Sequence, residues 1–278
     1  MKKFKRSERI AALVRLFCSD PGRVFTLREL SGQFGCAKST LSEDIALLRA
    51  TFSERGLGIV ESINGAAGGV RFYPFYDDTS DALFIEELCK TLSHSSRILP
   101  GNLLFTADVL YEPKLLNRLG AIIAKYFCEL NPDILVTLEV SGAPIALMTA
   151  KALGKPLAIA RRISRPAEGP TVTINLHKSD CPRQRQLSLP TRSLNKGQRV
   201  LIIDDCIETG AAAEALFALI GEFGAEVCGF GTILAISEPK VKAVKDYVHL
   251  ITLNRNEAGI KLAPAAWLVD NLSQEGYA

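Results

Sequence analysis

No stretch of the chain approaches the run of about eighteen apolar residues that a membrane-crossing helix needs, and no apolar core follows the Lys/Arg-containing N-terminus as it would in a secretory signal. The expectation is a cytoplasmic chain with no membrane partner. Histidine is scarce: His94, His177 and His249 are the three present, and they stand far apart. The seven cysteines are scattered and never form C-x-x-C, so neither a disulfide framework nor a zinc knuckle is indicated. No metal site built from Cys and His is expected. What the chain does have is length and apolar content: 278 residues, 47% hydrophobic, enough for two domains with their own cores.

The formal charge of +3 hides an asymmetry. Residues 1–76 carry twelve Lys/Arg against seven Asp/Glu, a net of +5, and the remainder is slightly acidic. A basic excess confined to one end suits an anionic polymer. Within this end, Ser7 is read as the cap of a helix whose apolar stripe is Ile10, Leu13, Val14 and Phe17. Thr26 caps a second helix, Leu27 to Phe34, ending at Gly35; a third follows with Leu41, Ile45, Leu48 and Phe52 on one face. The short connection through Cys36 and Ala37 has the length of a helix-turn-helix turn.

Lys38, Ser39, Thr40 and Ser42 open the third helix, and such side chains donate to phosphates and base edges in a major groove. Glu43 and Asp44 oppose this unless turned toward Arg49 or their own helix terminus. Gly58 to Ser62, a Gly-rich tip from Asn64 to Gly69, and Val70 to Tyr73 read as a β-hairpin. Three helices and a hairpin make an N-terminal winged helix-turn-helix of the α+β class. Double-stranded DNA is the expected partner, held by Lys38, Ser39, Thr40 and Ser42, by Gly68 and Arg71 of the wing, and by an arm containing Lys2, Lys3, Lys5 and Arg6. A winged helix that meets only protein is the plainer alternative.

Past a junction near residue 76, the pattern changes. A helix is expected from Asp81 and another over Pro113 to Leu130. Strands at Ile134–Leu138, Leu157–Ala160, Thr171–Ile174, Val200–Ile203 and Val227–Ile236 then alternate with helices at Pro144–Leu153 and Ala211–Phe223. The expectation for 77–278 is an α/β domain with a mostly parallel sheet, its ligand beyond the carboxyl ends of the strands. The segment Val200-Leu-Ile-Ile-Asp-Asp-Cys-Ile-Glu-Thr-Gly-Ala-Ala-Ala213 carries the chemistry. Asp204 and Asp205 can accept hydrogen bonds from vicinal sugar hydroxyls, and the loop Glu208, Thr209, Gly210, Ala211 and Ala212 opens a helix whose free N–H groups favour phosphate. A second loop of this kind, with Ser141, Gly142 and Ala143, follows the first strand. Arg161 and Arg162 stand where they can neutralise a phosphate. Two anion-accepting loops suit a ligand with two separated phosphate groups.

This segment resembles the fingerprint of type I phosphoribosyltransferases, in which an Asp pair holds the ribose of 5-phosphoribosyl 1-pyrophosphate (PRPP) and the Thr-Gly loop holds its 5-phosphate. Glu139-Val-Ser-Gly-Ala-Pro144 is similar to the pyrophosphate loop of that fold. A winged helix at 1–76 joined to such a domain at 77–278 resembles the PurR-type purine operon repressors of Gram-positive bacteria. Ala37-Lys-Ser-Thr-Leu-Ser-Glu-Asp44, Asn64 to Gly69, Arg97-Ile-Leu-Pro-Gly101, Thr171 to Asn175 and Leu201 to Asp205 carry that resemblance.

The resemblance implies a homodimer on operator DNA, released by PRPP as effector with or without magnesium, a purine alarmone competing for the pocket. It implies no catalytic residue and no cofactor acting as a catalyst. The alternative is an active purine phosphoribosyltransferase with an accessory DNA-binding domain.

The chain departs from the fingerprint where Thr-Gly-Gly-Thr is usual and Thr209-Gly-Ala-Ala212 stands here. Ala212 lacks a hydroxyl for the 5-phosphate, and Ala211 would be strained if its position demanded positive φ. Cys206 has no neighbouring base and reads as a wall of the pocket. Residues 161–199 hold nine Lys/Arg against two acids, Arg183, Arg185, Arg192 and Lys196 among them, and read as a hood, a second DNA-facing surface or a solvated loop. Phe105 reads as a core side chain, or as a stacking surface for a purine.

Overall fold

The computed structural model describes residues 4–65, 68–101, 103–175, 186–256 and 259–274. Lys2, Lys3, Ala66, Ala67, His177, Arg183 and Arg185 lie outside the described residues. Two compact units result, Met1–Asp77 with Lys151–Gly154, and Asp78–Ala150 with Lys155–Ala278.

The first unit runs α1 (Arg6–Ser19), β1 (Val24–Phe25), α2 (Leu27–Phe34), α3 (Lys38–Glu54), β2 (Ile59–Ile63) and β3 (Gly69–Tyr73). The expected stripe of α3, Leu41, Ile45, Leu48 and Phe52, is buried against Leu13, Phe17, Leu30 and Phe72. Thr26 caps α2 by accepting from the Glu29 N–H at 3.1 Å, and Gly35 ends it at φ 61°, a left-handed turn that suits glycine. Ser7 is not the cap of α1. The cap position lies two residues earlier, at Lys5, whose N–H donates to Glu8 Oε2 at 2.8 Å. β1 was not foreseen; two residues are too short to show a period, and it pairs with β3 only in the folded unit.

The second unit begins with α4 (Asp78–Leu92), three residues ahead of the expected start. It continues through β4 (Ile98–Leu99), β5 (Leu103–Leu104), α5 (Ala107–Leu110), α6 (Pro113–Phe127), β6 (Ile134–Leu138), α7 (Gly142–Leu153), β7 (Leu157–Ala160), β8 (Thr171–Asn175) and β9 (Gln186–Pro190). β10 (Arg199–Ile207), α8 (Ala211–Glu222), β11 (Glu226–Ile236), β12 (Val248–Asn256), β13 (Gly259–Pro264) and α9 (Ala266–Gln274) complete it. Six strands form one sheet in the order β13-β12-β11-β10-β6-β7, parallel throughout except for β13. From β6 the chain moves outward to β7, and β10 then returns to the opposite side of β6. The ends of β6 and β10 therefore flank the point where strand order reverses, the place where open α/β sheets bind ligands.

β6 is buried at every position, as a strand covered on both faces must be. β8, expected as a member of the same sheet, instead pairs antiparallel with β9 in a separate ribbon. Its Thr-Val-Thr-Ile pattern buries no residue fully, so it lacks the apolar content of a central parallel strand. On one face of the sheet α6 lies close to β11: a Cβ at Gly231 would come within 2.7 Å of the Phe127 ring. Phe105 is 44% exposed rather than part of the core, because it follows a hairpin of two-residue strands that lies off the main sheet.

Candidate functional site

Two surfaces gather the residues singled out in the sequence. On α3, Lys38, Ser39 and Ser42 are exposed on the face opposite the buried stripe, with Thr40 half-buried beside them. The Ser42 hydroxyl donates to the Lys38 carbonyl at 3.0 Å. Glu43 is exposed on the same face, whereas Asp44 is 1% exposed and turned inward. Asp44 does not turn to Arg49. It accepts from the buried Arg9 and, at 3.4 Å, from Arg6. Arg49 instead donates to the Val60 carbonyl at 3.0 Å and to Ser62, tying α3 to the wing. Arg71 pairs with Glu61 at 2.8 Å and lies over the Tyr73 ring. Gly68 sits beside the wing tip, where a Cβ would meet the Ile63 carbonyl oxygen at 2.4 Å. Lys5 and Arg6 are exposed at the start of α1. The face thus keeps Lys38, Ser39 and Ser42 toward solvent, and Arg6 and Arg71 each already hold a carboxylate.

In the second unit, the loops after β6 and β10 meet. Gly142 is the point of contact: a Cβ there would lie 2.3 Å from Asp204 Oδ1 and 2.5 Å from Thr137 Oγ1, so only glycine lets the head of α7 approach this closely. Ser141 and Ala143 flank it, half-buried, and the Glu139–Val140 peptide is cis. The β6 loop is tied to the end of β7. Arg161 donates to Glu139 Oε2 at 2.6 Å and to Glu168 Oε1 at 2.8 Å, and the Arg162 N–H donates to Glu139 Oε1 at 3.1 Å. Arg161, placed by the sequence as a phosphate partner, therefore already answers two carboxylates. The charge of Arg162 weakly opposes the upward shift of the Asp204 carboxyl.

β10 runs on to Ile207, so Asp204 and Asp205 are part of the strand rather than beyond it. Asp204 is 8% exposed. Burial raises its carboxyl well above the ordinary range, and the charge of Asp205 adds to the effect. Thr137, fully buried on the neighbouring strand, has an Oγ1 with no hydrogen-bond partner. Burial, with Asp205 next, pushes the Cys206 thiol up to about 12, which leaves no thiolate to act as a nucleophile.

The loop that follows is built for an anion. Gly210 takes φ 82° as the cap of α8, and Ala211 is an ordinary helical residue with negative φ, so alanine causes no strain there. Thr209 Oγ1 accepts from the Ala211 N–H at 3.3 Å. The N–H groups of Ala212 and Ala213 belong to the first turn, which has no intrahelical acceptor for them. Positive dipole and free donors at this end favour an anion. Glu208 points to Arg255 of β12, 3.2 Å away. Among the described residues no group of three or more His, Cys, Asp or Glu could hold a metal ion.

The sequence missed Glu139 as the anchor of the first loop, and it missed Arg255 and Lys242 around the second. An acid ending β6 beside a basic pair ending the adjacent β7 was the available signal for Glu139. Nothing in the sequence marks Arg255 or Lys242.

Comparison with known proteins agrees with both halves of this geometry. Residues 5–74 match the family described as bacterial purine repressor, N-terminal, and residues 106–265 match the phosphoribosyl transferase domain. The purine biosynthesis transcriptional repressor PurR of Bacillus subtilis is 32% identical over 280 residues, covering 99% of this chain and 98% of that protein. The purine biosynthesis transcriptional activator PurR of Lactococcus lactis subsp. lactis is 32% identical over 251 residues, 90% of this chain and 93% of that protein. In structure, the adenine phosphoribosyltransferase of Saccharomyces cerevisiae superimposes with a TM-score of 0.50 at 21% identity, covering 60% of this chain and 97% of that one, which shows the shared fold. A repressor-type N-terminal unit and a phosphoribosyltransferase fold, continuous over nearly the whole length of a regulator, leave one conclusion: the chain belongs to the PurR family of purine biosynthesis transcriptional regulators.

Proposed function

We propose that this regulator represses purine biosynthesis genes and releases its operator when PRPP fills the pocket between the ends of β6 and β10. The observation that carries the effector reading is the contact of Gly142 with Asp204, which brings a diphosphate-type loop and a sugar-hydroxyl pair together at the switch point of the sheet. Asp204 and Asp205 take the ribose hydroxyls. Ser141, Gly142 and Ala143, together with Arg162, take the pyrophosphate. Glu208 to Ala212 take the 5-phosphate. Arg161 acts through Glu139 by holding the first loop in place.

Magnesium suits this site as a companion of the diphosphate, since it binds through one or two carboxylates together with phosphates and water. Asp204 and Asp205 are the candidate carboxylates; bound there, the ion would neutralise diphosphate charge. A purine nucleotide alarmone carries phosphates of the same kind and would compete for the loops.

Operator DNA is the proposed partner of Lys38, Ser39, Thr40 and Ser42, with Lys5, Arg6, Gly68 and Arg71 along the backbone. A homodimer in the bacterial cytoplasm fits this reading, because paired winged helices match paired half-sites. Coupling is reciprocal: whatever factor PRPP takes from DNA affinity, DNA takes from PRPP affinity. We assign no catalytic residue. The missing hydroxyl at Ala212 supports a sensor over a transferase.

A gel shift with DNA from upstream of purine biosynthesis genes, with and without PRPP, tests both units together. Salt-sensitive, sequence-preferring binding that PRPP abolishes is expected. Binding that PRPP strengthens would reverse the sign of regulation, and nucleotide formed from PRPP, magnesium and a purine base would make the chain an enzyme.

A further inference from the structure

The loop that ends β10 lacks a hydroxyl at Ala212, yet it is held from outside by a segment with no recognisable motif. Lys242, beyond the end of β11, turns its ammonium back onto three backbone carbonyls, those of Glu208 (2.5 Å), Ile236 (2.7 Å) and Pro239 (3.2 Å). An ammonium has three N–H donors and no acceptor, so each can serve one of these oxygens. One of the three belongs to the phosphate loop itself. The next residue repeats the attachment: the Ala243 N–H donates to the Thr209 carbonyl at 2.8 Å. Gly210 lies under the same segment, where a Cβ would come within 3.1 Å of Ala243 N and 3.2 Å of Val244 N. Val244 packs in turn on the apolar core of the unit. From the other side Arg255 reaches the Glu208 carboxylate. Glu208 and Thr209 are thus held by groups outside the fingerprint, and Gly210 is covered by the same segment.

We infer that Lys242 is a positioning residue for the sugar-phosphate loop. It holds the backbone of Glu208 so that the N–H groups at the head of α8 stay aimed at a phosphate monoester. The inference rests on the reading of this loop as the seat of the 5-phosphate, and it adds a selectivity. The loop after β6 is anchored separately, through Glu139 and Arg161. Loss of Lys242 therefore weakens ligands that carry a sugar phosphate and leaves inorganic pyrophosphate alone.

The test is calorimetric titration of the full chain with PRPP, ribose 5-phosphate and pyrophosphate, for wild type, K242M and K242R, with the melting temperature of each. Removing a charge-assisted hydrogen bond predicts that K242M binds PRPP and ribose 5-phosphate about tenfold more weakly while pyrophosphate stays within about twofold. K242R, which keeps charge and donors, recovers most of the loss. If K242M does not fold, K242Q takes its place and is read against the same outcomes. Wild-type binding of ribose 5-phosphate that the substitution leaves unchanged overturns the inference alone. Equal weakening of all three ligands also overturns it, since that marks general loosening. A wild type that binds neither PRPP nor ribose 5-phosphate overturns the effector reading on which the inference stands.

Discussion

Asp44 in the first unit and Asp204 in the second are both buried, at 1% and 8% exposure, and differ in what answers their charge. Asp44 meets two guanidinium groups, Arg9 and Arg6. Asp204 has a second carboxylate beside it and accepts one backbone hydrogen bond, from the Asp205 N–H at 3.0 Å. Burial with a partner is structural: it pins α3 to α1 and removes an acid from the exposed face of α3. Burial without a partner leaves a carboxylate whose hydrogen-bonding capacity is unspent, which is what a ligand site requires. Asp81 stands between the two. It touches Lys125 and Arg118, yet burial outweighs them and its carboxyl still lies above the ordinary range.

The contrast breaks most visibly at Asp44. D44A leaves Arg9 buried and unpaired, so we expect a loss of about 3–5 kcal/mol from the first unit. Urea denaturation followed by a probe in that unit measures it, and a loss under about 1 kcal/mol would class the pair with surface ion pairs. D204N should do the opposite. It removes an acid whose ionisation burial disfavours, so stability holds or rises at neutral pH, while PRPP binding weakens by about tenfold to a hundredfold, the worth of hydrogen bonds to a charged group.

The same comparison has a pH signature. The folded Asp204 carboxyl is raised above its unfolded value, so its contribution is fully present below the ordinary carboxylate range. That contribution is lost as pH rises through the raised value. Melting curves across this window should show wild type losing stability relative to D204N as pH increases; parallel curves would mean that the Asp204 carboxyl is not raised.

A smaller effect sharpens the phosphate end. A212T restores the hydroxyl, and PRPP should bind about tenfold more tightly if the side chain reaches the 5-phosphate. The smallest is expected at Glu43, the acid of α3 that stays exposed. E43Q should raise operator affinity about two- to threefold, within the range of exposed charge effects, and competition gel shifts can resolve that.

Much of the architecture was legible because it is written in local periods. The α3 stripe, Thr26 with Gly35, and the β6 and β7 bounds follow from apolar spacing and caps that act within a few residues. Asp204, Asp205 and the Thr209–Gly210 loop were legible because their residue types follow a buried strand in a fixed order. β8 was misplaced because a four-residue apolar alternation does not say which strand it will pair with. Arg161 was read as free because its acid partners, Glu139 and Glu168, lie 22 and 7 positions away on other segments.

The sequence by itself determined most of the two units' element types, the basic bias of the first and the acid-pair strand and Thr-Gly loop of the second, since these depend on composition and near-neighbour spacing. Only the tertiary structure decided which charges are spent and which remain available. Asp44 turns inward to Arg9, Arg161 serves Glu139, and Lys242 serves the Glu208 carbonyl, each across a long sequence separation. Those pairings come from strand order and helix packing, which place distant groups within hydrogen-bond reach.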